Sequence, residues 1–533
     1  MPHFRDILII ARMKNIVNKI LTRISLIKRS TYVKITFILS GIASTVWYLV
    51  RVIPKPQRAS YPCMRVAAPL MSGFVLYLLS VAGSVAAFKK AKLNFIRQNY
   101  FYTLVFLLIA ITGSFFIVSR GTGYASAKGN AEWIIVPNQP VGEGKGIFPG
   151  RVVWVHDPAV ASWDGKTGNW WDENVTSQSE TNKMLNESLL SLTGEKTEKK
   201  AWTALFRHFN LKHGRKNQSY KSGEKIAVKI NTNNTYSHQD SPELNASPQL
   251  VLALLKSLVN DAGIPQKNIT VFDASRFITD NIFNKCHQVF PDVVFVDNVG
   301  GDGRVKSAYA ENAIPYSVDN GKLATGLATC AVEADYLINM ALLKGHVGQG
   351  VTLCAKNYYG VTSIENNWRK NAHNNFNPDR QGKPQYLTFV DFIDHKDLGA
   401  KTMLFLIDGI YGSKLVNGIP DPKWKMEPFN NGWACSLFSS QDPVAIDAVG
   451  LDFLRCEFPD APDMAFSDSY LIEAAQADNP PSKTKYDPQR NSAKISSLGV
   501  MEHWNNAKDK KYSRNLGKNT GIELVHKTIL ATK

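Results

Sequence analysis

Six short apolar runs, five of them followed directly by a polar residue, set the strongest limit on what this 533-residue chain can fold into. Arg151–Val155 runs into His156 and Asp157, Ile226–Ile230 into Asn231, Ile269–Phe272 into Asp273, and Val293–Val296 into Asp297. Tyr336–Met340 leads towards Lys344, and Met403–Ile407 ends in Asp408-Gly409. The runs do not alternate apolar with polar, as a sheet with one wet face would. Continuous apolar strands belong to sheets covered on both faces. Helical segments separate them. Ser247 at an N-cap, Pro248 in the first turn and Gly263 past the end predict a helix over 247–262. Asp442 and Pro443 predict another, continuing through Leu454. Strand alternating with helix predicts an α/β fold, a mostly parallel sheet with flanking helices in a Rossmann-like arrangement. In open sheets of this kind ligands bind beyond the carboxyl ends of the strands. Asn231, Asp273, Asp297 and Asp408 are therefore expected on one rim, although Asp and Asn also terminate strands for purely local reasons.

The densest chemistry lies at Lys344–Gly360, KGHVGQGVTLCAKNYYG. Lys344 and Lys356 offer positive charge, and His346 can carry a proton or bind a metal. Gly348 and Gly350 permit positive φ and close approach of backbone N–H groups to a ligand. Asn357 can orient a bound group. Asp447, a little over one turn into the second helix, needs a lysine, a donor or a metal if buried. Trp170 and Trp171 stack on a sugar or plug a core edge.

Charge is unevenly spread. The chain has 62 Lys and Arg against 45 Asp and Glu. The first hundred residues hold sixteen of the bases and a single acid, Asp6. The remainder is nearly neutral, so no basic face for nucleic acid is expected. Within that basic front, Ile35–Ile53, Val66–Phe88 and Phe101–Ser119 are apolar runs near the roughly 20 residues that cross a bilayer as helix. They predict three N-terminal transmembrane helices. Eight Lys or Arg in the arm 1–34 and four in the loop 89–100, against three in the loop 54–65, put the N-terminus in the cytoplasm. The expected organisation is a basic cytoplasmic arm (1–34), a three-helix membrane region (35–119), a linker (120–145) and an extracytoplasmic α/β domain (146–533, core 225–455). That is a multi-pass inner-membrane protein in contact with the lipid bilayer, with a second membrane protein as partner. The tail from Pro480 is polar and basic and is expected to wrap the surface.

The segments KINTN, SPQLVLALLKSLVNDAG, ITVFDAS, LINMALLKGHVGQGVTLCAKNYYGV, FLIDGIYG and SSQDPVAIDAVG resemble the DUF362 family, in order across about residues 225–455. Some members carry ferredoxin-like cysteine motifs. This chain has no CxxC pair, so no iron–sulfur cluster is expected. The family is distantly similar to the N-terminal domain of nickel-dependent lactate racemases. Of the histidines that contact their cofactor only His346 is matched, so no pincer cofactor is expected.

Three functions follow as expectations. The first is a metal-assisted enzyme, a hydrolase or isomerase acting on a small anionic or envelope-derived substrate. There Asp273, Asp408 and Asp447 hold a divalent cation, and His346, Asp408 and Lys344 do the chemistry. Lys356, Asn357, Asn231, Gly348 and Gly350 bind substrate. The second is a tethered ligand-binding or sensing module without catalysis. A structural envelope protein whose Trp170, Trp171 and Tyr358 touch glycans is a third. No P-loop, HExxH or nucleophile elbow is present.

Overall fold

The computed structural model describes residues 136–364, 385–416, 418–420, 423–461 and 463–529, and scattered positions between 45 and 106. It divides into two compact units, 1–127 and 128–533.

In the first unit the described positions are helical, Asn99 apart. The expectation of three transmembrane helices is corrected here. Among the described residues no helix is long and apolar enough to cross a membrane. Most of the three apolar runs, and the whole basic arm, lie outside the described residues. An apolar run of suitable length is necessary for a span but does not make one, because crossing needs a continuous helix of about 20 residues. The inner-membrane placement and the extracytoplasmic side of the domain rested on those spans and fall with them.

The second unit is built on a ten-stranded sheet. Its strands are β1 (Arg151–His156), β2 (Ile226–Lys229), β3 (Ile269–Asp273), β4 (Val294–Asp297), β5 (Val305–Lys306), β6 (Tyr336–His346), β7 (Gly350–Thr352), β8 (Thr402–Ser413), β9 (Ser436–Ser440) and β10 (Glu523–Thr528). The order is β10-β1-β9-β8-β6-β2-β3-β4-β5, with β7 folded back on β6. From β8 through β6, β2, β3 and β4 to β5 all strands are parallel, and β9 is antiparallel to both neighbours. The predicted α/β class and mostly parallel sheet are thus present, and no membrane-crossing helix is found among the described residues.

Helices cover both faces. On one side α1 (Gln178–Thr193), α2 (Glu198–Lys212), α3 (Pro248–Lys256) and α4 (Asp280–His287) pack on Val153, Val155, Val228, Val271, Ile338 and Leu406. On the other, α5 (Cys354–Asn357), α6 (Thr388–Asp394), α7 (Pro443–Glu457) and α8 (Asp468–Ala475) pack on Trp154, Ala227, Phe272, Leu337, Ala341 and Ile407. Successive strand residues feed opposite cores, which is why the runs are apolar throughout.

Three local departures matter for the site. The run at Tyr336 continues as strand through His346, so the loop proper is Val347–Gln349. The run at Met403 extends to Ser413, which leaves Asp408 inside the strand and not at its end. The helix after Ser247 is α-helical only to Lys256 and finishes as a π-turn over Ser257–Asp261. Asp442 caps α7 as its position predicts, accepting from Val444 N at 3.0 Å and Ala445 N at 2.9 Å. Within the stretch read as linker, Val141–Gly142 pairs with Val500–Met501. The tail supplies the edge strand β10 and the buried His503. Trp170 and Trp171 are both buried. Cys286, Cys330, Cys354, Cys435 and Cys456 form no disulfide.

Candidate functional site

From β2 the chain winds outward through β3, β4 and β5, then returns to place β6 on the other flank of β2. The switch point between β2 and β6 opens a crevice at the carboxyl ends of the strands, the position where open α/β sheets bind ligands. A cavity of about 30 Å³ lies there, room for one or two waters. Lys229, Asn231 and Asn233 line it from the end of β2, and Asp273, Ser275 and Arg276 from the end of β3. His346 comes from the end of β6, and Thr352, Lys356, Asn357, Tyr359 and Gly360 from the chain that follows. The β6–β7 hairpin explains the last group. Lys229 is level with Asn339, so β6 overshoots β2 by seven residues before it turns. Strand β7 doubles back, Lys344 opposite Thr352, and delivers α5 onto the end of β2.

Lys229 and Asp273 form the floor. Both are almost fully buried, and their charged groups are 3.1 Å apart. The Lys229 ammonium also donates to Asn357 Oδ1 at 3.0 Å and to Ile230 O. Asp273 accepts further hydrogen bonds from Thr232 N (3.1 Å), Ser275 N (3.2 Å) and Ser275 Oγ (3.1 Å). Burial alone would raise this carboxyl, but the Lys229 charge and the N–H donors outweigh it and hold it below the usual range. Asp273 is therefore a carboxylate with its lone pairs occupied, a poor proton acceptor. Asn357 extends the network inward, donating to Asn339 Oδ1 at 2.8 Å and Met340 O at 3.2 Å. Asn231 donates to Asn357 Oδ1 at 3.2 Å.

The walls are cationic. Arg276 is held by Asn233 O (2.9 Å, through Nε) and Ser275 O (3.0 Å). The Lys356 ammonium lies 4.8 Å from the Tyr359 ring centre. His346 Nδ1 lies 2.7 Å from Val347 O, which assigns the proton to Nδ1 and makes Nε2 the acceptor nitrogen.

Gly360 is required by space. A Cβ there would sit 2.7 Å from Lys229 Nζ and 2.9 Å from Asp273 Oδ1. Gly360→Ala is expected to push the ammonium off its carboxylate and to destabilise the protein by about 1–3 kcal/mol, the usual range for overpacking. A shift of the urea midpoint at unchanged slope would measure it.

The structure thus brings together five of the residues singled out from sequence: Asn231, Asp273, His346, Lys356 and Asn357. Five others sit elsewhere. Asp408, inside β8, accepts from Ser247 N at 2.8 Å and Ile410 N at 3.2 Å, and burial raises it to about 6. Asp447 accepts from Cys354 N (2.8 Å), Ala355 N (2.9 Å) and Tyr470 OH (3.1 Å), and burial raises it too to about 6. It anchors the start of α5 and so places Lys356 and Asn357 from a distance. Lys344 is fully buried behind the hairpin, lowered to about 7 by that burial, with Val416 O 3.5 Å from its ammonium. Gly348 donates to Asp463 at 2.5 Å, and Gly350, at φ 80°, abuts Ser467. Both glycines fit the hairpin tip against 463–467. Asp273, Asp408 and Asp447 are each engaged by N–H or O–H donors. Among the described residues no group of three or more His, Cys, Asp or Glu side chains is placed to hold a metal ion.

Lys229 and Arg276 were not among the site residues read from sequence. Arg276 carries a signal all the same, three residues past the strand-ending Asp273. Lys229 is masked by its position as the last residue of an apolar strand.

Fold and site together define an α/β domain with a cation-walled cavity at its switch point. Residues 226–452, which contain every lining residue, match the family model described as Domain of unknown function (DUF362). Searches of curated proteins and of solved structures gave no match.

Proposed function

We propose that this domain binds the anionic end of a small molecule in the switch-point cavity, and that His346 moves a proton on the bound ligand. One observation carries the reading. Among the described lining residues Lys229, Arg276 and Lys356 are cationic and Asp273, paired with Lys229, is the one carboxylate. Cationic side chains outnumber carboxylates in this lining, in a partly enclosed space where water screens charge poorly, so a carboxylate or phosphoryl group fits better than a neutral or cationic one. Arg276 and Lys356 hold the anion, Asn231 and Asn357 orient it, and His346 is the acid–base group, since Asp273 has no lone pair to spare. Isomerisation and hydrolysis both need one proton carried this way.

Calorimetric titration of the full chain with inorganic phosphate and with acetate tests the binding. Arg276→Ala and Lys356→Ala are each expected to weaken it by about tenfold or more, the worth of a charge-assisted hydrogen bond. Absence of anion binding by the unaltered protein would remove the proposal.

The full saturation of Asp273 also favours a second reading, a binding module without turnover. His346→Ala separates the two. In an enzyme it abolishes conversion of small carboxylates and phosphate esters while leaving the anion affinity within about twofold. In a binding module no conversion is seen before or after the change.

A further inference from the structure

The lining of the switch-point cavity holds one side chain whose hydrogen bonding is incomplete, Thr352. It is the last residue of β7, level with Lys344 of β6. Val351 and Leu353 on either side of it are buried in the core shared with α5 and α7. Side chains alternate along extended chain, so Thr352 turns to the other face. It is 3% exposed, and its Oγ1 is buried without a hydrogen-bond partner. Among the described lining residues no other buried side-chain polar atom is left in that state. Ser275 Oγ donates to Asp273, and the Asn231, Asn233 and Asn357 amides donate to neighbouring amide oxygens. A buried hydroxyl without a partner costs free energy, and a ligand oxygen that accepts from it removes that cost. Arg276 supplies a second donor. Its Nε and Nη1 are taken by Asn233 O and Ser275 O, which leaves Nη2 for a ligand. Volume limits what these donors meet. The cavity of about 30 Å³ holds two oxygens, at about 10–15 Å³ each. A carboxylate is planar and ends in two oxygens. A phosphoryl group ends in three, spread tetrahedrally about a larger atom.

We propose that the group bound in this cavity is a carboxylate, and that the Thr352 hydroxyl donates to one of its oxygens. This rests on the anion-binding reading of the cavity and narrows it to one class of ligand. Arg276 and Lys356 set the sign of the group, and the small volume sets the number of its oxygens. The hydroxyl, fixed on a strand, adds direction to what the two cations supply as charge.

The test is calorimetry on the full chain with acetate and with inorganic phosphate, for the parent, Thr352→Val and Thr352→Ser. The parent is expected to bind acetate at least about tenfold more tightly than phosphate. Thr352→Val keeps the shape and loses the hydroxyl, and is expected to weaken acetate binding by about tenfold. Thr352→Ser keeps the hydroxyl and is expected to stay within about twofold of the parent. No hydrogen bond within the protein is lost in Thr352→Val, so its melting temperature is expected to be no lower than the parent's. Phosphate bound as tightly as acetate by the parent, a comparison that needs no variant, would overturn the carboxylate assignment and leave the anion reading standing. Acetate bound equally by parent and Thr352→Val would overturn the Thr352 contact, again leaving that reading intact. A lowered melting temperature in Thr352→Val would show the hydroxyl to be structural and would overturn the contact as well. If neither anion binds the parent, both proposals fall.

Discussion

Lys229→Met is expected to destabilise the protein by about 3–5 kcal/mol, the range for removing one partner of a buried pair. The cause is Asp273. It stays an anion because the Lys229 ammonium lies 3.1 Å away and Thr232 and Ser275 donate to it, against a burial that pulls the other way. Without the ammonium, burial dominates and the carboxyl takes up a proton. The pH dependence then changes sign. In the unaltered protein the folded-state pKa of Asp273 lies below the ordinary aspartate value of 3.8. Its contribution is present above that value and is lost as pH falls through the folded pKa. In Lys229→Met the folded pKa rises above the unfolded one, and stability is instead gained as pH falls. Urea midpoints measured between pH 3 and 7 for both proteins would show the reversal. Adding Asp273→Asn should recover part of the loss, because no buried carboxyl then has to be protonated on folding. Lys229→Met as stable as the parent at neutral pH would refute the account.

His503→Ala is expected to cost a similar amount, about 3–5 kcal/mol, at a place far along the chain from the cavity residues. The His503 imidazole bridges α7 and α8. Nδ1 meets Asp452, and Nε2 lies 2.9 Å from Asp468, which also takes Arg455 at 2.7 Å. Asp452 further accepts from Trp504 N at 3.1 Å and Tyr512 OH at 2.8 Å. Burial would lower His503, but Asp452 and Asp468 prevail and raise it to about 10. A histidine raised in the folded state stabilises fully below its unfolded pKa of about 6.5. That contribution is lost as pH climbs from there through about 10. The stability gap between parent and His503→Ala, read from denaturant titrations, should therefore be widest near pH 6 and close towards pH 10. A gap independent of pH would mean that the imidazolium is not the stabilising species. The polar tail, expected from sequence to wrap the surface, instead inserts this cation into the core.

The site was partly legible. Asn231, Asp273, His346, Lys356 and Asn357 stood out because a polar residue ending an apolar run, or a lysine in a glycine-rich stretch, is a local signal. Asp408 gave the same signal and lies inside its strand, since β8 runs on to Ser413 with Asp408 facing the Ser247 and Ile410 amides. Asp447 was expected to need a partner when buried. Its partners are two backbone amides and a tyrosine hydroxyl, which sequence could not distinguish from a lysine or a metal. The apolar runs before residue 120 matched the length of membrane spans, yet length and hydropathy alone do not establish a helix that crosses.

Taken alone, the amino-acid sequence determined the α/β class, the strands buried on both faces and the helix start at Asp442. Each depends on hydrophobic pattern or on capping chemistry within a few residues. Tertiary structure alone decided which polar groups meet. The order β8-β6-β2-β3 and the doubling back of β7 place Arg276, Lys356 and His346 around Lys229 and Asp273. Strand order follows from packing between segments 43 residues apart at β2–β3 and 110 apart at β2–β6, and no local pattern encodes that.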